Sequence, residues 1–137
     1  MNNKMKKNIL FLFGALAMFC MTVSCNDDPY EADPDLLVGT WKNGSEYYRY
    51  DKSYSTYTLQ SGSTVDVNGA AWDTADDVSE DEAQPFVWTL TDDNLLLDHI
   101  GYMGSHSPKS YTVTELTASS LSYVDNYGQS FNFTKVR

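Results

Sequence analysis

Three groups of residues have the types and spacing that chemistry asks for. Asp73, Asp76, Asp77, Glu80, Asp81 and Glu82 place six carboxylates within ten residues. Such oxygens suit calcium, but the run lacks the alternating spacing and central glycine of an EF-hand loop. The same acids serve equally as the solvated, capped face of a short helix, and Ser79 with Glu82 three places on reads as a capping box. The two histidines, His99 and His106, stand seven apart, with His106 in a Gly/Ser loop. That is no metal signature, and no metal is expected. His99 alternates with Leu95 and Leu97 and so points inward with them. There it either orients a ligand, titrating near neutral pH, or sits satisfied near the rim. Neither Ser55 nor Ser105 has the flanking glycines of a nucleophile elbow, so no catalytic triad can be assembled. Nearly all of the 19 acids fall in turns, in an acidic stretch near the N-terminus or in the capped segment. A glycosidase pair across a cleft therefore cannot be placed. No enzyme and no cofactor is expected.

The third group is aromatic. The chain has 10 Tyr, 6 Phe and 3 Trp, side chains that suit both strands and wet binding surfaces. Trp72, Trp88, Tyr54, Tyr57, Tyr102, Met103 and Tyr111, with His99, are the candidates for contact with a ligand. Trp88 and Tyr111 point inward by alternation. Trp72, Tyr102 and Met103 fall on loops that would border a mouth. The alternative for each is to fill an interior, which a domain of about 100 residues needs for stability.

What positions these residues is one domain, since 137 residues make one and not two. Residues 1–24 read as an export signal. Lys4, Lys6 and Lys7 precede an almost unbroken apolar run of 15 residues, Ile9–Val23, too short for a membrane span and right for a signal core. Thr22-Val23-Ser24-Cys25 resembles the bacterial lipobox, which implies lipid attachment at Cys25 and a membrane anchor of stacked acyl chains. The other cysteine, Cys20, lies within the leader, so no disulfide framework or zinc cluster remains. Residues 25–35 hold five acids and two prolines and read as a flexible, extended linker. An acidic run directly after the lipid cysteine resembles the export tag of Bacteroidetes surface lipoproteins, which implies the outer membrane and exposure at the cell surface. Without the three leader lysines, six basic residues face 19 acids, a net charge of −13. That repels phosphate backbones and excludes nucleic acid as a partner.

Residues 36–137 read as strands. Period-2 alternation bounded by turn residues predicts strands over 39–50, 53–60, 63–67, 86–91, 95–100 and 109–115, then two more around Leu121-Tyr123 and Phe131-Phe133. Asp51-Lys52 and Asn68-Gly69 read as turns. Residues 73–84 read as a helical insertion over the barrel, ended by Pro85. The fold class is all-β: eight antiparallel strands in chain-neighbour order, a number whose closed barrel holds side chains or one small ligand.

The Gly39-Thr40-Trp41 opening, the Trp88-x-Leu90 and Leu95-x-Leu97 hairpin and the aromatic last strand resemble the lipocalin-like domains of small bacterial lipoproteins. The resemblance covers residues 36–137. It implies that Trp41 packs under a basic residue of the last strand, Lys135 or Arg137, closing one barrel end. It also implies reversible binding of a small apolar or amphipathic molecule. The rival reading is a filled barrel whose exposed Tyr47, Tyr48 and Tyr50 contact a glycan or a protein partner.

Overall fold

The computed structural model describes residues 31–137; the leader, Cys25 and the first part of the acidic stretch lie outside them. A helical turn, α1 (Pro34–Leu37), precedes eight strands. These are β1 (Gly39–Asn43), β2 (Glu46–Thr58), β3 (Thr64–Asp73), β4 (Gln84–Thr91), β5 (Asn94–Ile100), β6 (His106–Leu116), β7 (Ser120–Val124) and β8 (Ser130–Lys135). Each pairs antiparallel with its chain neighbour, and β8 returns to β1, so the sheet is a closed up-and-down barrel.

The strand count is as read from the sequence, but three boundaries differ for stated reasons. The stretch 39–50 is two strands, because Gly44 takes a positive φ of 62° and turns the chain into a hairpin that pairs Trp41 with Tyr48. Asp51-Lys52 is not a turn; it lies inside β2, where the register with β3 shifts between Tyr50 and Ser55. Asn68-Gly69 is not a turn either, and β3 runs on through it to Asp73. Trp72 therefore sits on a strand and not on a loop. His106 likewise opens β6 instead of lying in a loop, and its Nδ1 is 2.8 Å from Asp98 Oδ2.

Two seams of the barrel are thin. β3 and β4 pair only over Gly69–Ala71. Beyond that point Asn68 replaces the ladder with its side chain. Its amide accepts from Trp88 N–H at 2.8 Å and donates to the Trp88 carbonyl at 3.1 Å, while the Trp88 indole donates to the Asn68 carbonyl at 2.9 Å. Gly69 is needed there, because the Phe86 ring occupies the place of a β-carbon. The β1–β8 seam is held by two ladder pairs, and by a Thr40 that donates to the Arg137 carbonyl at 2.8 Å and accepts from Val136 at 2.7 Å.

The core fills most of the interior. Trp41, Leu37, Leu95, Leu97 and Leu121 are sealed at one end. Tyr50, Phe86, Trp88, Tyr123 and Phe133 form the aromatic layer above them. The closed end is stoppered by α1. Asp33 caps it by accepting from Asp35 N–H at 2.9 Å, the Trp41 indole donates to the Leu37 carbonyl at 2.8 Å, and Ala32 N–H donates to the Asp92 carbonyl in the β4–β5 turn. Among the described residues, packing thus reaches back to Ala32, within the stretch expected to be an extended linker.

A second, smaller core lies outside the barrel. Val87 and Ile100 alternate with inward residues and face out, and Leu59 and Val67 of the β2–β3 hairpin close over them with Tyr57 and Val65. The 74–83 insertion contributes two short helical turns, as expected, both of the 3-10 kind, Thr74–Asp76 and Glu80–Glu82. Ser79 makes no side-chain cap, so the expected capping box does not form. Glu80 instead reaches the outer wall, accepting from Arg49 at 2.9 Å and from Arg137 at 2.7 Å.

Candidate ligand-binding site

The end opposite α1 is open. A cavity of about 630 Å³ sits there, above the aromatic layer. Its walls come from inward positions of five strands and from the β7–β8 turn. Tyr48 of β2, Gln84 of β4, His99 of β5, and Ser107, Lys109 and Tyr111 of β6 face it, with Phe131 of β8 and Asp125–Tyr127 of the turn. Register explains the set. Ser107 pairs with His99 and Lys109 with Leu97, and Leu97 is fully buried, so the alternate residues of β6 must point inward.

One side of this cavity is a continuous aromatic wall. Tyr111 lies 4.4 Å from Tyr123 and edge-on to Phe131 at 5.9 Å between centroids. Tyr123 continues to Phe133 at 5.2 Å, and Phe133 meets Tyr48 edge-on at 5.5 Å. Such offset and edge contacts add to plain area burial. The wall is also rich in hydroxyls. Burial, then the nearby Glu46 carboxylate, pushes the Tyr48 phenol up to about 12. Burial, followed by Asp125 and Glu46, raises Tyr111 as well. Below them, burial raises Tyr50 and Tyr123 further, and the four phenols act on one another. All four keep their protons at neutral pH, and Tyr48 and Tyr111, which line the cavity, present O–H donors without charge. The Tyr50 hydroxyl is sealed from solvent and makes no hydrogen bond of acceptable geometry.

The polar side of the mouth is carried by β5 and β6. Burial lowers the His99 imidazole, and the Lys109 charge lowers it further, so His99 is neutral at pH 7 and offers one donor and one acceptor. The Asp125 Oδ1 is occupied by the turn, accepting from Tyr127 and Gln129 N–H at 2.9 Å each.

The sequence-predicted residues divide into groups. His99 and Tyr111 line the cavity. Trp88 is buried beneath it in the core. Tyr102 and Met103 are exposed on the 101–105 loop at the same end but do not line the cavity. Trp72 stacks flat on Tyr47, 5.3 Å away and 4° from parallel, and lines a second cavity of about 400 Å³ that shares Tyr48 and Gln84 with the first. Tyr54 is exposed and Tyr57 half-buried on the β2–β3 hairpin, which packs on the outside of the barrel, and neither lines the cavity. Of the tyrosines expected to be exposed, Tyr50 is in the core and Tyr48 faces the cavity; only Tyr47 lies on the outer wall. At the closed end Lys135 stands over Trp41, whereas Arg137 pairs with Glu80. Lys109 and Phe131 belong to the site and were not singled out, and Tyr48 belongs to it as a cavity residue instead of the exposed contact expected of it; alternation with Tyr50, Tyr111 and Phe133 is the signal that points to them. In the acidic segment, Asp73 caps a 3-10 turn and Glu80 is taken by two arginines. Among the described residues no group of three or more His, Cys, Asp or Glu could hold a metal ion.

Residues 37–123 match the family model of the lipocalin-like domain. No curated protein and no solved structure matches the chain.

Proposed function

The chain belongs to the lipocalin-like domain family, and from that premise we propose that it is a non-enzymatic, membrane-tethered binding protein whose barrel mouth takes up one small amphipathic molecule. Barrels of this kind in general bind ligands. The observation that carries the reading is the cavity of about 630 Å³ at one end of a barrel otherwise filled by side chains. That volume lies within the range of small-molecule sites. Its wall offers aromatic surface on one side and neutral donors on the other, which suits a molecule with an apolar body and a few polar groups.

The tether is read from sequence. Lipid on Cys25 would hold the domain to the outer membrane, and the acidic residues after it would mark it for the cell surface. Cys25→Ala should move the protein from the membrane fraction to the soluble one; retention in the membrane would overturn the anchor.

Native mass spectrometry tests the binding. Residues 26–137 would be incubated with pooled fatty acids, bile-acid-like amphiphiles and oligosaccharides. A discrete adduct is expected from an amphiphile pool. Replacing Tyr111 and Phe131 together by Ala should remove it, and Tyr54→Ala on the outer hairpin should not. No adduct from any pool would overturn the reading. It would turn attention to the outer Tyr47–Trp72 stack as a contact for a glycan or a protein.

A further inference from the structure

We propose that the mouth selects amphiphiles with an anionic head group, held at Lys109, with the apolar body against Tyr111 and Phe131. The inference rests on the mouth being the binding site and adds the charge of what enters it. Six basic side chains lie among the described residues. Five of them are engaged. Arg49 and Arg137 pair with Glu80, and Lys52 with Asp35. Lys42 lies over the Tyr47 ring, and Lys135 over Trp41 with two carbonyls.

Lys109 alone makes no such contact, and it alone stands at an inward position on the cavity wall. Its charge is felt at His99 across the cavity wall, where it lowers the imidazole. A lysine stem can cover apolar surface while leaving its ammonium free for a polar partner. Of the nearby carboxylates, Asp125 spends its Oδ1 on its own turn, and the Asp98 Oδ2 lies 2.8 Å from His106 Nδ1. Glu46 flanks Tyr48 without a cation partner.

A head group with negative charge would therefore complete Lys109 by a charge-assisted hydrogen bond. Neutral His99 and the Ser107 hydroxyl would supply further donors beside it. The net negative charge of the chain opposes anions at long range. That opposition is screened beyond about 8 Å at physiological salt, whereas a contact at Lys109 is not.

Anilinonaphthalene sulfonate and phenylnaphthylamine test this directly, since both carry the same anilinonaphthalene body and differ in the sulfonate. Each brightens on entering an apolar site. They would be titrated into the full-length chain at physiological salt, with a trimethylammonium analogue as the cationic member of the series. The sulfonate should bind about five- to tenfold tighter than the neutral probe. Lys109→Gln should erase that advantage and leave neutral binding as it was. Lys109→Arg should keep the advantage, and Lys52→Gln, on the outer surface, should change nothing.

Equal binding of all three probes, or preference for the cation, would overturn anion selection and leave the mouth as a neutral amphiphile site. A sulfonate preference that survives Lys109→Gln would overturn the role of Lys109. Failure of every probe to bind would instead overturn the ligand-binding reading of the mouth, and this inference with it.

Discussion

The Lys135 ammonium stands 4.9 Å from the centre of the Trp41 ring, and the same group donates to the Val38 carbonyl at 2.8 Å and the Leu36 carbonyl at 3.3 Å. One cation thus ties the last strand to the first strand and to α1. Gly39, at φ 136°, has no β-carbon to collide with the Lys135 chain. Hydrogen bonds from a charged donor contribute about 1.5–3 kcal/mol, and a cation over an indole about 0.5–1 kcal/mol more. Lys135→Met should therefore cost about 2 kcal/mol in urea unfolding followed by tryptophan fluorescence. A midpoint equal to the parent's would show that the contact is idle.

Asn68 is a sharper test of the β3–β4 seam. Asn68→Ala strands the Trp88 N–H and carbonyl in a buried place, and each stranded group costs about 1–3 kcal/mol. The expected loss is about 2–4 kcal/mol, with faster exchange of the Trp88 amide proton. A loss below about 1 kcal/mol would mean that the seam re-pairs without it.

Gly69→Ala addresses the same seam from the packing side. The added methyl meets the Phe86 ring, and overpacking of this kind costs about 1–3 kcal/mol. Gly69→Ala with Phe86→Leu should recover part of that loss. Additive losses in the double variant would contradict a direct clash.

His99 makes stability depend on pH. Burial and Lys109 hold its folded pKa below the ordinary 6.5. Above that value both states are neutral and nothing is lost. As pH falls below it, the unfolded chain takes up the proton first, so stability declines until the folded pKa is passed. His99→Gln should remove this decline, read as the difference in denaturation midpoint between pH 7.5 and pH 5.5. Parallel curves for parent and variant would refute the linkage.

Glu80 joins Arg49 and Arg137 on a surface where all three are about one-third or more exposed. Exposed pairs contribute at most about 1 kcal/mol. Glu80→Gln should lose less than that, and the loss should vanish in high salt. The two arginines hold the Glu80 carboxyl below its usual range. The contribution is present above the ordinary glutamate pKa of 4.5 and disappears as pH falls through the lowered value. An effect insensitive to both salt and pH would point to packing instead.

The sequence makes the barrel legible because its inward and outward residues alternate cleanly where neighbouring strands pair at full length. Phe86, Trp88 and Leu90 against Leu95, Leu97 and His99 show this best. It misleads where a residue with a local turn preference serves a distant partner. Asn68-Gly69 has the local signature of a hairpin, yet Asn68 answers Trp88, twenty positions on, and Gly69 makes room for Phe86. The mouth is harder to read than the barrel for a related reason. Tyr48, Lys109 and Phe131 are inward by simple alternation, like many others. Which inward layer stays empty depends on how Tyr50, Phe86, Trp88 and Tyr123 from three strands pack together, and no single strand records that. Tyr54, Tyr57 and Trp72 look like binding residues by type, but the folded-back hairpin and the Tyr47 ring account for Tyr57 and Trp72, and Tyr54 is left exposed and off the cavity wall.

The stopper built from α1 also fixes a direction. The described chain begins at the base of the barrel, where Ala32 is tied to the β4–β5 turn, and the cavity opens at the far end. The first described residues and the entrance to the cavity therefore lie at opposite ends of the barrel, so a guest enters where the packing of the N-terminal turn does not have to open.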